Sequence, residues 1–246
     1  MNNSMAQREL LLSPHSDDLV YSAFTLLIRR STYPKQVVTI FNVSRHTKFV
    51  GPNVNMRLQS LITEIRKLED AFVLKSLAVA STHLDLPDRT AAGPLNGAQV
   101  KEHSAFSYLH GLDFPLRART IVCPMGLGGN PDHILTRSIA ISLWKAKGGL
   151  DYLVFYEDLP YATIVSNLEE ETRAQLAILS ETVGSLAKRV VPLTTTQLLH
   201  KIMCACFYFS QTNRFAIKSI VKHAKRVGSD EGFGLAERFY VSGMEH

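Results

Sequence analysis

One imidazole and two carboxylates stand together in the segment Leu10-Leu11-Leu12-Ser13-Pro14-His15-Ser16-Asp17-Asp18. His15 and Asp18 are three positions apart, so on a tight turn both side chains point the same way and can share a divalent cation. Asp17 between them is left to handle protons. The outline is that of a metal hydrolase. A plainer role suits the same residues: an aspartate at a helix start accepts backbone N–H bonds and meets the positive end of the helix dipole. The segment alone leaves both readings open.

A distant segment, Cys123-Pro124-Met125-Gly126-Leu127-Gly128-Gly129-Asn130-Pro131-Asp132-His133, has the same build. An apolar run gives way to a glycine-rich loop, and Pro131 suits the first turn of a helix, where its missing N–H costs nothing. His133 then sits in that first turn, facing back towards the strand end. Imidazole and carboxylate ligands suit zinc, and three protein ligands with one open position are the usual layout of a catalytic zinc site. A phosphate-binding glycine loop is the other reading of this segment. Two half-sites, each after a strand and before a helix, favour the metal.

The elements that must position these residues follow from periodicity. Apolar runs predict strands near 9–13, 36–42, 82–86, 119–123 and 151–156. Helical spacing predicts helices near 18–30, 57–76, 98–110 and 131–147. Such alternation predicts an α/β, three-layer Rossmann-like fold with a mostly parallel central sheet flanked by helices. In an open parallel sheet, sites assemble beyond the strand ends. Further on, the pattern is less regular: a helix at 174–183, a strand at 188–193, an apolar helix at 196–209 and a last strand at 237–241. Loops 44–56 and 88–97 are expected on the same edge as the half-sites. The first carries Arg45, His46, Lys48 and Asn53, and the second carries Arg89, two glycines and Pro94.

The 246 residues, 46% hydrophobic and 20% charged, suit a single domain over 1–246. Three cysteines without a Cys-x-x-Cys pair fit reduced thiols rather than a disulfide scaffold. The polar N-terminus carries no signal-peptide pattern, and no apolar run is long enough to span a bilayer, so a cytoplasmic protein is expected. Net charge is +5, and part of it lies on one predicted helix at Arg214, Lys218, Lys222, Lys225 and Arg226. Only Phe215 is interleaved with those residues, a poor platform for stacking bases. A solvated helix face is expected there, and no nucleic-acid partner. Self-association is left open.

With both half-sites in view, the chain resembles the GlcNAc-phosphatidylinositol de-N-acetylases, the PIG-L or LmbE-like superfamily. The family's first motif, His-Pro-Asp-Asp-Glu, is matched by His15-Ser16-Asp17-Asp18-Leu19, and its second, His-Pro-Asp-His, by Asn130-Pro131-Asp132-His133. An Arg-x-x-Glu helix is matched by Arg66-Lys67-Leu68-Glu69, and a downstream aspartate by Asp88. The segment Tyr156-Glu157-Asp158-Leu159-Pro160-Tyr161 is also similar to one in bacterial members.

The resemblance implies a zinc hydrolase (another divalent metal would also serve) that removes an acyl group, usually acetyl, from an amino-sugar nitrogen. It implies that His15, Asp18 and His133 hold the metal, that Asp17 is the general base, and that Arg66, Asp88 and Asn130 meet a small N-acetylated sugar substrate. Arg66 and Glu69 also read as a surface ion pair, Asp88 as a turn residue, and Glu157-Asp158 as a turn and helix entry. Asn130 is the main departure. The family histidine at that position is assigned to steadying the oxyanion or supplying a proton, and asparagine can donate a hydrogen bond but cannot act as an acid. Either slower turnover is expected, or His83 or a residue of the 44–56 loop fills that role. The alternative reading is a metal- or sugar-binding homologue with little or no turnover.

Overall fold

In a computed structural model of the chain, residues 8–45, 47–49, 55–88, 104–111, 118–148 and 152–242 are described. Five parallel strands carry the sheet: β1 (Arg8–Ser13), β2 (Lys35–Thr39), β3 (Ala80–His83), β4 (Ala118–Pro124) and β5 (Tyr152–Tyr156). β7 (Ala236–Ser242) then pairs antiparallel with β5, and β6 (Leu186–Pro192) antiparallel with β7. The order across the sheet is β3-β2-β1-β4-β5-β7-β6. This is the mostly parallel, helix-flanked α/β arrangement expected from the alternation.

Leu10, Leu11, Leu12, Val37, Val38, Ile121, Leu153 and Phe155 are fully buried. Continuous apolar runs of this kind belong to strands covered on both faces. β1 lies between β2 and β4, so the strand order reverses beside it. Such a switch point opens a crevice at the strand ends, and both histidine-bearing loops leave the sheet there.

The expected helix 18–30 is two short ones, α1 (Asp18–Ser22) and α2 (Phe24–Ile28), broken at Ala23. The cause lies on β7. Glu237 accepts hydrogen bonds from the Phe24 and Thr25 N–H groups and the Thr25 hydroxyl at 3.1, 2.9 and 2.6 Å. Its charge is matched by buried Lys201 at 2.6 Å. α3 (Met56–Ser76) starts on Asn55, whose side chain accepts the Leu58 N–H.

β3 sits two residues earlier than expected, because an edge strand that is half exposed carries the weak pattern Ala80-Ser81-Thr82-His83. α4 (Ser104–Gly111) covers part of the helix expected at 98–110, and residues 98–103 lie outside the described ones. α5 (Pro131–Ala146) follows β4. Then come a one-turn α6 (Tyr161–Ile164), which periodicity missed, and α7 (Leu168–Val183), longer than expected. The last helices are α8 (Thr195–Phe207), opened by a Thr194–Gln197 capping box, and α9 (Arg214–Asp230).

Candidate active site

The β1 loop and the start of α5 meet. The rings of His15 and His133 stand with centroids 5.5 Å apart. Asp18 Oδ2 lies 3.1 Å from His15 Nδ1 and 3.4 Å from His133 Nε2. Among the described residues, His15, Asp18 and His133 form one group whose ligand atoms all lie within 4.8 Å of one another.

The far nitrogen of each ring is held by a carboxylate. His15 Nε2 is 3.0 Å from Asp132 Oδ2, and His133 Nδ1 is 2.6 Å from Asp158 Oδ1. Asp158 is itself fixed by the Gly126 and Leu127 N–H groups at 2.8 and 3.0 Å. His133 Nε2 is buried and has no hydrogen-bond partner. Buried polar atoms are rarely left so, and a ring nitrogen aimed at two other ligand atoms is what a cation site needs. Two nitrogens and one carboxylate oxygen, with the histidines oriented from behind, fit zinc or a similar divalent ion.

Asp17 precedes α1, and its side chain makes no capping bond to the helix. It lines a cavity of about 300 Å³ with His15, Asp18, Arg66, Asp88 and Asn130. Burial, then the charge of Asp18, pushes its carboxyl up to about 6, against the opposing charges of Arg66 and His15. A carboxylate that titrates near neutrality suits a proton-transfer role.

The remaining expected residues gather at this cavity in less simple ways. Arg66 donates from Nη2 to Gln211 Oε1, and its Nη1 lies 3.9 Å from Asp88. Glu69 is buried and accepts from the Ser210 N–H and hydroxyl at 2.7 and 2.6 Å, so the expected surface pair with Arg66 is replaced by two buried, separately engaged side chains. Asp88 is buried. Asn130 caps α5 through Oδ1, which accepts the Asp132 N–H at 3.0 Å, while Nδ2 donates to the Tyr161 hydroxyl at 2.5 Å.

His83 does not join the cavity lining; its Nε2 lies 2.8 Å from Asp70. In the 44–56 loop, Arg45 bonds Gln59 and Lys48 bonds the Thr212 carbonyl, away from the lining. His46, Asn53 and residues 89–97 lie outside the described residues. Sequence reasoning missed Asp158, Gln211 and Tyr161 as parts of the site, and gave Asp132 no duty of its own. Asp158 had a signal: it follows a buried apolar strand, as Asp17 and Asp132 do. Glu157 turns the other way, to His223 and Arg238.

No family model matches the chain. Among curated proteins, it is 24% identical over 241 residues to a 2'-N-acetylparomamine deacetylase of Streptomyces fradiae, with 89% of this chain and 78% of that protein covered. Among solved structures, the deacetylase of the A40926 pseudoaglycone matches with a TM-score of 0.69 at 19% identity, covering 98% of this chain and 99% of that one. N,N'-diacetylchitobiose deacetylase from Pyrococcus horikoshii matches with a TM-score of 0.63 at 17% identity, covering 97% and 85%. Likeness at such identity speaks for the fold, and function has to be argued from the site. The chain is thus similar to deacetylases of the LmbE-like kind that its two motifs resemble, and it has their fold.

Proposed function

We propose that this chain is a metal-dependent N-deacetylase that hydrolyses the acetamide of an amino sugar or sugar-containing metabolite. The observation that carries the reading is the convergence of His15, Asp18 and His133 on one point, beside Asp17 in the same cavity. His15, Asp18 and His133 would hold a divalent cation, zinc for preference. When bound, such an ion polarises a carbonyl and lowers the pKa of water towards neutrality.

Asp17 takes the proton of the attacking water as the new C–O bond forms. It returns that proton to the nitrogen as the C–N bond breaks, releasing acetate and the free amine. Asp132 and Asp158 keep the histidines turned to the cavity. Arg66 and Asp88 present a fork of donors and an acceptor to sugar hydroxyls. The acetylated amino sugars in the relatives' names support this substrate class. Among the described residues no helix is long and apolar enough to cross a membrane.

The test is acetate release from 2'-N-acetylparomamine, N,N'-diacetylchitobiose and other acetamido sugars by zinc-loaded protein. Asp17→Asn should lose about 10²–10⁴-fold in turnover, the usual worth of a general base, with metal content intact. Equal activity in that variant rejects the mechanism. Stoichiometric metal without acetate release in the wild type would favour the binding homologue, which Asn130 makes the second reading.

A further inference from the structure

Two neighbouring helices turn large apolar side chains outward. Leu68 and Phe72 stand one turn apart on α3, Leu199, Met203 and Phe207 follow one another at four-residue steps on α8, and Phe209 lies just beyond. All six are exposed, from 44% at Phe207 to 69% at Leu68. The rings of Phe72 and Phe207 meet with centroids 4.9 Å apart, and Leu68 and Phe209 line the same groove, so the two helices present one continuous face. Single exposed apolar side chains are ordinary, whereas a contiguous patch marks a contact surface.

Charge is sorted across this side of the molecule. No Asp or Glu occurs between Thr195 and Phe207, and the lysine there, Lys201, is buried against Glu237. The outer face of α8 therefore offers water neither carboxylate nor ammonium. α9 packs beside it, with Cys206 of α8 and Lys218 of α9 lining one groove. Its outward row is Arg214, Lys218, Lys222 and Lys225, all exposed and at helical spacing. The first acidic residue of α9 is Asp230, which Arg238 already holds at 3.0 Å.

We propose that the outer faces of α3, α8 and α9 form a platform that docks this protein on an anionic lipid bilayer. The apolar side chains of α3 and α8 sink to the acyl boundary, while the α9 cations meet the negative headgroups. A second copy fits less well. The α8 and α9 faces have no unpaired carboxylate to receive a partner's lysines, and Glu64 on α3 is paired with Lys67 at 3.3 Å. A nucleic acid would meet the cations and leave the apolar face wet.

The test is flotation of the full-length protein with vesicles of phosphatidylcholine plus phosphatidylglycerol, against phosphatidylcholine alone. Binding should need the anionic lipid and weaken as salt rises. Lys218→Gln with Lys222→Gln should weaken it about 25-fold, at about fivefold for each charge near the surface. Leu199→Gln with Met203→Gln, which alters no charge, should weaken it about tenfold. Met203→Trp keeps the face apolar, and its fluorescence should shift to the blue on the anionic vesicles. No binding to the anionic vesicles, wild-type binding in Leu199→Gln/Met203→Gln, or an unshifted tryptophan overturns the proposal. So does a dimer in solution that Leu199→Gln/Met203→Gln dissolves, which would give the face to a second copy.

Discussion

The Asp158 carboxylate lies 2.6 Å from Nδ1 of His133, and so it determines that Nε2 is the nitrogen turned to the cavity. The same residue accepts two backbone N–H groups of the glycine loop. Loop shape and ring orientation are thereby tied to one side chain. Asp158→Asn should weaken zinc binding about 10–100-fold, the usual cost of losing a carboxylate behind a histidine ligand. Competition with a chromophoric chelator measures it, and unchanged affinity would deny Asp158 this role.

Arg66 spans from Gln211 to Asp88, and its Nε is buried without a partner. If its fork grips the sugar, Arg66→Lys keeps the charge and loses the two-pronged geometry. KM for an acetamido sugar should rise about tenfold, with kcat falling less, as for an interaction made alike in ground and transition states. Steady-state kinetics on the metal-loaded protein separate the two. A fall in kcat alone would assign Arg66 to the chemical step instead.

The Glu237–Lys201 pair is fully buried, with Glu237 also tying down the start of α2. Lys201→Met leaves that charge without its counter-ion and should cost about 3–5 kcal/mol. Adding Glu237→Gln should recover part of the loss. Urea unfolding of both variants decides the matter; a single variant as stable as wild type would make the pair dispensable.

Glu157 gives a pH dependence. Burial pushes its carboxyl up, but the hydrogen bond from His223 with the charges of His223, Arg238 and Arg226 overcomes this, so the group titrates below its usual value of 4.5. A depressed folded pKa means stability that is full above the unfolded value and lost as pH falls through the folded one. Wild type should therefore lose stability below about pH 4.5 more steeply than Glu157→Gln, which is less stable at neutral pH. Denaturation midpoints between pH 3 and 7 test it, and parallel curves would contradict the assignment.

The central strands were legible because strands buried on both faces write themselves as apolar runs: Leu10–Leu12, Val37-Val38 and Ile121–Cys123 are such runs. Edge strand β3 has no such signature, and it lies at Ala80–His83 rather than at 82–86. The break at Ala23 has no local cause at all, since Glu237 lies over two hundred positions away along the chain. The residues proposed to hold the ion and the base stood out because chemistry needs their types at a strand end. Asp158 did not, because what it does depends on a partner on another loop, the ring of His133.

The crevice between β1 and β4 has a consequence for assembly. The two jaws of the clamp sit on strands that are neighbours in space, Leu11 beside Val122, yet remote along the chain. The three ligand atoms come together only when the middle of the sheet has closed. Any cation that prefers the finished clamp must therefore pull the folding equilibrium toward the native chain, and the temperature of unfolding becomes a gauge of what the clamp holds.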